Sequence, residues 1–193
     1  MDFLKGFVLD FDIKTGLSEK FTSTKRTLSQ MKGMYADEAA LDNMLAEGDP
    51  LVYEFYELRA PEHAGDIAPG TSILYPGKVG REYFMTKGHF HTVRETAEVY
   101  YCLAGEGYML TENASGEWAA HELYPGAMVY VPKAYAHRSV NTGAVPLVTF
   151  FAFRADAGHD YGTIEERGFR KLIIEETGAF GTKAVIADNP KWL

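Results

Sequence analysis

A single cysteine, Cys102, leaves this chain of 193 residues without an internal disulfide, which fits a reducing compartment. No apolar run approaches the roughly 20 residues needed to cross a bilayer, and residues 1–8 lack the apolar centre of a signal peptide. A soluble, cytoplasmic protein is expected. Positive charge is also scarce: 19 Lys and Arg stand against 27 Asp and Glu, a formal net charge of −8, with no Lys/Arg cluster. Such a balance repels nucleic acid, and an anionic ligand would need a locally positive or amide-lined pocket. Internal repeats, low-complexity tracts and dividing linkers are missing too, so the chain reads as one domain. Core material is abundant: 46% of residues are hydrophobic and 13% aromatic, enough to fold without staples.

Phe7 to Ile13 alternates after Val8 and reads as a strand ended by Lys14, Thr15 and Gly16. Asp37 to Glu47 is the clearest helix, with Asp37 as N-cap, Leu41, Met44 and Leu45 on one stripe, and Gly48 and Pro50 as stops. From Leu51 the pattern changes to short β-rich runs between Gly/Pro turns. These are Leu51 to Leu58, Thr71 to Tyr75, Glu82 to Lys87, Ala97 to Ala104, Gly107 to Thr111, Trp118 to Leu123, Ala127 to Val131, Arg138 to Asn141 and Leu147 to Phe153. Many short strands with regular turn signals indicate a sandwich or barrel. Lys171 to Glu175 and Lys183 to Ala187 add two strands that cover an edge or contribute to a dimer. Residues 1–50 then form an N-terminal extension with one helix, 51–153 the barrel core, and 154–193 the C-terminal strands and covering segment.

The chemistry gathers in two blocks. Successive side chains of an extended strand alternate, so His89 and His91 share a face and Phe90 takes the other. Glu98 follows a polar run in which the chain can turn and return as a neighbouring strand. In the second block Val129 to Val131 reads as a strand, Pro132 to Ala134 as its turn, and His137 as the start of the next strand. Three neutral imidazoles and one carboxylate suit a borderline first-row divalent cation, and an octahedral ion would keep two positions for water or substrate. An open site of that kind suits catalysis better than structural closure. Tyr100 shares the face of Glu98 and is placed to orient its carboxylate. Cys102 shares it too, but too deep for a ligand, and reads as a small buried thiol. Thr86 and Gly88 flank Lys87, where a hydroxyl and a bare amide can approach an anion, and Thr71 adds a second hydroxyl. Taken alone, Thr86 to Gly88 is a strand end.

The two blocks resemble the paired motifs of the cupin superfamily: His89, His91, Glu98 and a trailing Gly105, then Gly126, Pro132, His137 and Asn141. Residues 86–91 and 98–100, with 74–80 upstream and 156–163 downstream, resemble the cupin-type phosphoglucose isomerases of archaea and some bacteria, a similarity that runs over most of the chain. The pattern departs at Ala134, where the general motif has glycine, and at Phe153, where tyrosine is expected in archaeal relatives. The resemblance implies a mainly β fold, a cupin jelly-roll barrel, and interconversion of glucose 6-phosphate and fructose 6-phosphate in glycolysis and gluconeogenesis. It implies a metal on His89, His91, Glu98 and His137, with Fe2+ ahead of Mn2+, Zn2+ and Ni2+, Glu98 as the catalytic carboxylate, and a homodimer. Tyr53 and Tyr161 move from core bulk to substrate contacts, and Thr71, Thr86 and Gly88 become phosphate or sugar contacts. His159 either hydrogen-bonds substrate or orders its own loop.

Both a metal-stabilised cis-enediolate and a hydride shift between C1 and C2 are compatible with these residues. Two other classes stay open: a cupin dioxygenase with iron on the same ligands, and a sugar-binding cupin without turnover.

Overall fold

Alternating apolar residues and glycine-marked turns build most of the molecule into antiparallel strands. The computed structural model describes residues 6–57, 63–179 and 181–192. Leu58, expected as the end of a strand, and residues 1–5 lie outside them. Strand β1 (Thr24–Thr27), a 3-10 turn (Leu28–Met31) and helix α1 (Glu38–Glu47) come first. The main strands follow: β2 (Leu51–Glu57), β3 (Ile67–Leu74), β4 (Lys78–Val79), β5 (Glu82–Tyr83), β6 (Glu98–Ala104), β7 (Gly107–Asn113), β8 (Trp118–Leu123), β9 (Met128–Val131), β10 (Tyr135–Asn141) and β11 (Leu147–Arg154). Helix α2 (Gly162–Arg167), strands β12 (Lys171–Gly178) and β13 (Gly181–Asp188) and a second 3-10 turn (Pro190–Trp192) lie beyond them.

The strands pair into a six-stranded sheet, β1-β2-β3-β11-β6-β9, a three-stranded sheet, β10-β7-β8, and a four-stranded sheet, β13-β12-β5-β4. One continuous core joins them, with Tyr53, Leu74, Tyr100 and Phe151 contributed by the largest sheet and Met109 and Val140 by the three-stranded one. This is the mainly β jelly-roll barrel expected. Burial in β6 alternates along the strand, with Glu98, Tyr100 and Cys102 buried and Tyr101 exposed, so one face of the sheet is committed to the interior. Among the described residues no helix is long and apolar enough to cross a membrane.

Helix α1 forms as expected: the Asp37 side chain accepts from the Ala40 amide at 2.9 Å, the Gly48 amide donates to the Met44 carbonyl, and Leu41 is buried. Phe7 to Ile13 is not a strand. The Asp12 carboxylate accepts from the Lys14 and Thr15 amides and folds the chain into a turn, a local capture that wins over alternation. This segment crosses the outside of the largest sheet, where Phe11 stacks on Phe150 and a side chain at Gly16 would lie 2.7 Å from Val148. The expected strand Glu82 to Lys87 keeps only Glu82–Tyr83 in a ladder; the remainder runs beside β10 through the Met85–Val140 bridge and the Thr86 amide on the Ser139 carbonyl at 3.0 Å. Gly88, at φ +72, interrupts the extended run. Boundaries also move: β3 begins at Ile67 rather than Thr71, His137 is the third residue of β10 rather than its first, β12 runs on to Gly178 rather than Glu175, and β13 begins at Gly181 rather than Lys183. Strands β1 and β4 and helix α2 carried too little local pattern to be expected.

Candidate metal centre

Each candidate ligand is placed by a different element. Glu98 opens β6, paired on one side with Val131 and on the other with Phe153. His137 sits in β10, buried along almost its whole length. His89 is bridged to His137, and Phe90 to Asp160, so the segment between β5 and β6 is held at two successive residues. Side-chain alternation persists there without a regular ladder: His89 and His91 turn inward, while the Phe90 ring packs under the Arg94 guanidinium at 4.2 Å. Gly88 is required at this point. A Cβ there would lie 2.8 Å from the His137 carbonyl oxygen and 2.6 Å from the Phe169 ring, and the backbone is left-handed.

The four side chains converge. One ligand atom from each of His89, His91, Glu98 and His137 lies within 4.8 Å of all the others. Glu98 Oε2 is 2.9 Å from His137 Nε2 and 3.1 Å from His91 Nε2. Two donors bound about 2.1 Å from one ion at right angles stand about 3.0 Å apart, so these separations suit neighbouring positions around a single ion. His91, Glu98 and His137 are almost wholly buried, and Glu98 Oε2 and the Nε2 atoms of all three histidines lack a hydrogen-bond partner. Buried polar atoms left in that condition are costly, and a shared cation removes the cost. The His91 Nδ1 faces the Gly158 carbonyl at 3.3 Å; a carbonyl only accepts, so Nδ1 carries the proton and Nε2 presents its lone pair. The residues therefore fit a divalent cation bound through nitrogen and oxygen.

Burial on its own raises the Glu98 carboxyl, but His137, then His91 and His89, override it and hold it well below the ordinary carboxylate range. Burial, reinforced by His137 and His159, keeps the His89 imidazole neutral far below the usual histidine range. Tyr100 is pushed well above the normal phenol range, by burial first and then by its hydrogen-bonded neighbour Glu98. Its proton stays on. Tyr53 is pushed up to about 12, mainly by burial.

A cavity opens over these candidate ligands. Tyr53, Thr86, Gly88, His89, Glu98, Tyr100, His137, His159 and Tyr161 line it, and His91 lies behind as a buried candidate ligand. The His159 ring stacks on Tyr161 at 5.9 Å and meets His89 edge-on at 4.4 Å. Thr71 is not in this cavity. Its hydroxyl donates to the Gly16 carbonyl at 2.7 Å beneath the N-terminal segment, because Thr71 and Ser72 point to opposite faces of β3. Ser72 is the hydroxyl residue on the inner face, and it went unread, as did Ser139, although stepping two residues on from His137 identifies the latter. Phe153 lines the cavity and contributes no hydroxyl to it. Cys102 is fully buried and its thiol is pushed up to about 11 by burial, as befits core packing.

Residues 25–191 match a family model described as glucose-6-phosphate isomerase (GPI). The chain is 48% identical over 192 residues to a glucose-6-phosphate isomerase of Thermococcus litoralis, covering 100% of this chain and 99% of that one. It is 45% identical over 186 residues to the Pyrococcus furiosus protein of the same name, covering 96% of each, and 39% identical over 183 residues to the Sinorhizobium medicae one, covering 94% and 85%.

Proposed function

The chain belongs to the glucose-6-phosphate isomerase family, and from that premise we propose that its isomerisation depends on a divalent cation held by His89, His91, Glu98 and His137. The observation that carries the reading is the meeting of four ligand atoms, buried and without partners, at the floor of a cavity. Nitrogen and oxygen donors without a thiolate suit Fe2+, Mn2+, Zn2+ or Ni2+. When bound, such an ion supplies positive charge beside the sugar's O1 and O2, where negative charge develops as hydrogen moves between C1 and C2.

The protein's own groups position the sugar. Tyr53, Phe151 and Tyr161 offer apolar walls, and the tyrosine hydroxyls each add a directed hydrogen bond. Ser72, Thr86 and the Gly88 amide line the side suited to the phosphate oxygens. Tyr100 donates to Glu98 and keeps that carboxylate aimed. A carboxylate committed to a cation is a weak base, so direct passage of hydrogen between C1 and C2 fits these residues better than a proton relay through Glu98. Turnover in deuterium oxide distinguishes the routes: the direct path leaves the transferred position free of solvent deuterium. The function itself is tested by offering fructose 6-phosphate to protein loaded with each of the four ions in turn. Glucose 6-phosphate should appear in a coupled assay, and no turnover with any ion would overturn the reading.

A further inference from the structure

The run that carries His89 lies antiparallel to β10, and the pairing between them slips. Met85 is bridged to Val140 and His89 to His137, so four steps along one run answer three along the other. One extra residue therefore sits between the bridges, and Lys87 and Gly88 together face Arg138, the arrangement of a β-bulge. The slip decides which way the histidines point. Thr86 lines the cavity, and in a regular run it would send His89 to the opposite face. The extra residue reverses the alternation, so His89 joins Thr86, His137 and Ser139 in the cavity wall. The ladder breaks where this happens. The Ser139 amide, which a regular ladder pairs with the Thr86 carbonyl, donates instead to the Thr86 hydroxyl at 3.1 Å, and regular pairing resumes only where His89 meets His137.

Arg138 spans the gap. Its side chain leaves β10 on the face away from the cavity and is almost wholly buried, and Nε and Nη2 both donate to the Lys87 carbonyl, at 3.2 and 2.6 Å. The guanidinium lies 4.5 Å over the Phe169 ring. That ring and the Arg138 Cβ also close on Gly88, where an added side chain would meet them at 2.6 and 3.0 Å. We propose that Arg138 is a positioning residue for the metal centre: its paired donors hold the bulge in place of the missing backbone bond and so aim His89 and His91 at the ion. The inference rests on the cation site proposed above and adds the group that sets its geometry from outside the cavity. Two N–H groups of a rigid fork fix the orientation of the Lys87 peptide, which a single ammonium on a flexible stem does not.

The test compares Arg138→Met and Arg138→Lys with Leu41→Ala, a variant destabilised in helix α1, far from the bulge in sequence. Three quantities are read in folded protein: the dissociation constant of Co2+, the visible spectrum of bound Co2+, and amide exchange by NMR without metal. Arg138→Met should bind Co2+ about tenfold more weakly, as expected for loss of an outer-shell partner, with an altered spectrum. Its His89 amide should lose about tenfold more protection than the Asn141 amide, which bonds the Phe84 carbonyl on the regular side of the bulge. Arg138→Lys should recover part of each loss, and it decides the matter if Arg138→Met does not fold. Leu41→Ala should keep the wild-type affinity and spectrum. Wild-type Co2+ affinity and spectrum in the deciding Arg138 variant, or equal loss of protection at His89 and Asn141, would overturn the role of Arg138, as would an equal loss of affinity in Leu41→Ala. Failure of the wild-type protein to bind Co2+ would instead count against the proposed cation site, and the two amides would still report on Arg138.

Discussion

His89 and His137 exchange two backbone hydrogen bonds, the His89 amide to the His137 carbonyl at 3.3 Å and the His137 amide back to His89 at 3.1 Å. Two candidate ligands from separate elements thereby fix each other's backbone before any ion is considered. His91 stands outside this exchange, so His91→Ala should delete a ligand without loosening the barrel. Metal affinity is expected to fall more than about a hundredfold, beyond the effect of losing an outer-shell partner, and isomerase activity should fall to background. Metal analysis after dialysis checks this, with the melting curve of the metal-free variant as the control for folding. Full metal occupancy in the variant would refute the ligand assignment.

The neighbours Thr71 and Ser72 should separate cleanly. Thr71→Ala loses the bond to the Gly16 carbonyl and is expected to cost about 1 kcal/mol of stability, a few degrees of melting temperature, with KM unchanged. Ser72→Ala removes a hydroxyl from the cavity wall and should raise KM about threefold to tenfold at constant stability. Steady-state kinetics and thermal melts on the pair decide it; a KM effect from Thr71→Ala would put the wrong face of β3 in the site.

Ala134 holds φ +63 in the turn before β10, a left-handed conformation that a side chain makes unfavourable. It is exposed, and its amide donates to the Arg94 carbonyl at 2.8 Å, a bond glycine keeps. Ala134→Gly should stabilise the protein by about 0.5–1 kcal/mol without altering kcat or KM. A lower melting temperature would contradict the strain.

Arg138 is buried on the far side of β10 from the cavity, with Nε and Nη2 donating to the Lys87 carbonyl at 3.2 and 2.6 Å and its guanidinium 4.5 Å over the Phe169 ring. Burial raises the carboxyls of Glu82 and Glu112, and Arg138 is among the groups that pull both back down. Arg138→Met should cost about 3 kcal/mol or more. The sign with pH follows from linkage. A carboxyl whose folded pKa is raised binds its proton more tightly when folded, so stability falls as pH climbs from the ordinary value near 4.5 through the raised one. Removing Arg138 raises the folded values further, so the deficit against the wild type should widen between pH 5 and pH 8. Denaturant melts at the two pH values measure it; an equal deficit would show that the charge of Arg138 is not felt by these carboxyls.

The convergence of the four candidate ligands was legible because it depends on local rules. Alternation put His89 and His91 together, the turn signals after Val131 returned the chain at His137, and glycine at 88 marked a close backbone approach. What failed was what only pairing decides. Alternation says that Thr71 and Ser72 face opposite ways, but which one faces inward is set by the register of β3 with β2 and β11. Phe7 to Ile13 misled because one carboxylate, Asp12, captures two amides and bends a segment whose pattern alone reads as extended.

The central claim is that isomerisation needs the ion held by three imidazoles and Glu98. Activity in a coupled fructose 6-phosphate assay should vanish when the protein is stripped with a chelator and dialysed, and return on adding back a divalent ion, saturating at one ion per chain. Undiminished turnover in protein shown by elemental analysis to be free of metal would contradict it.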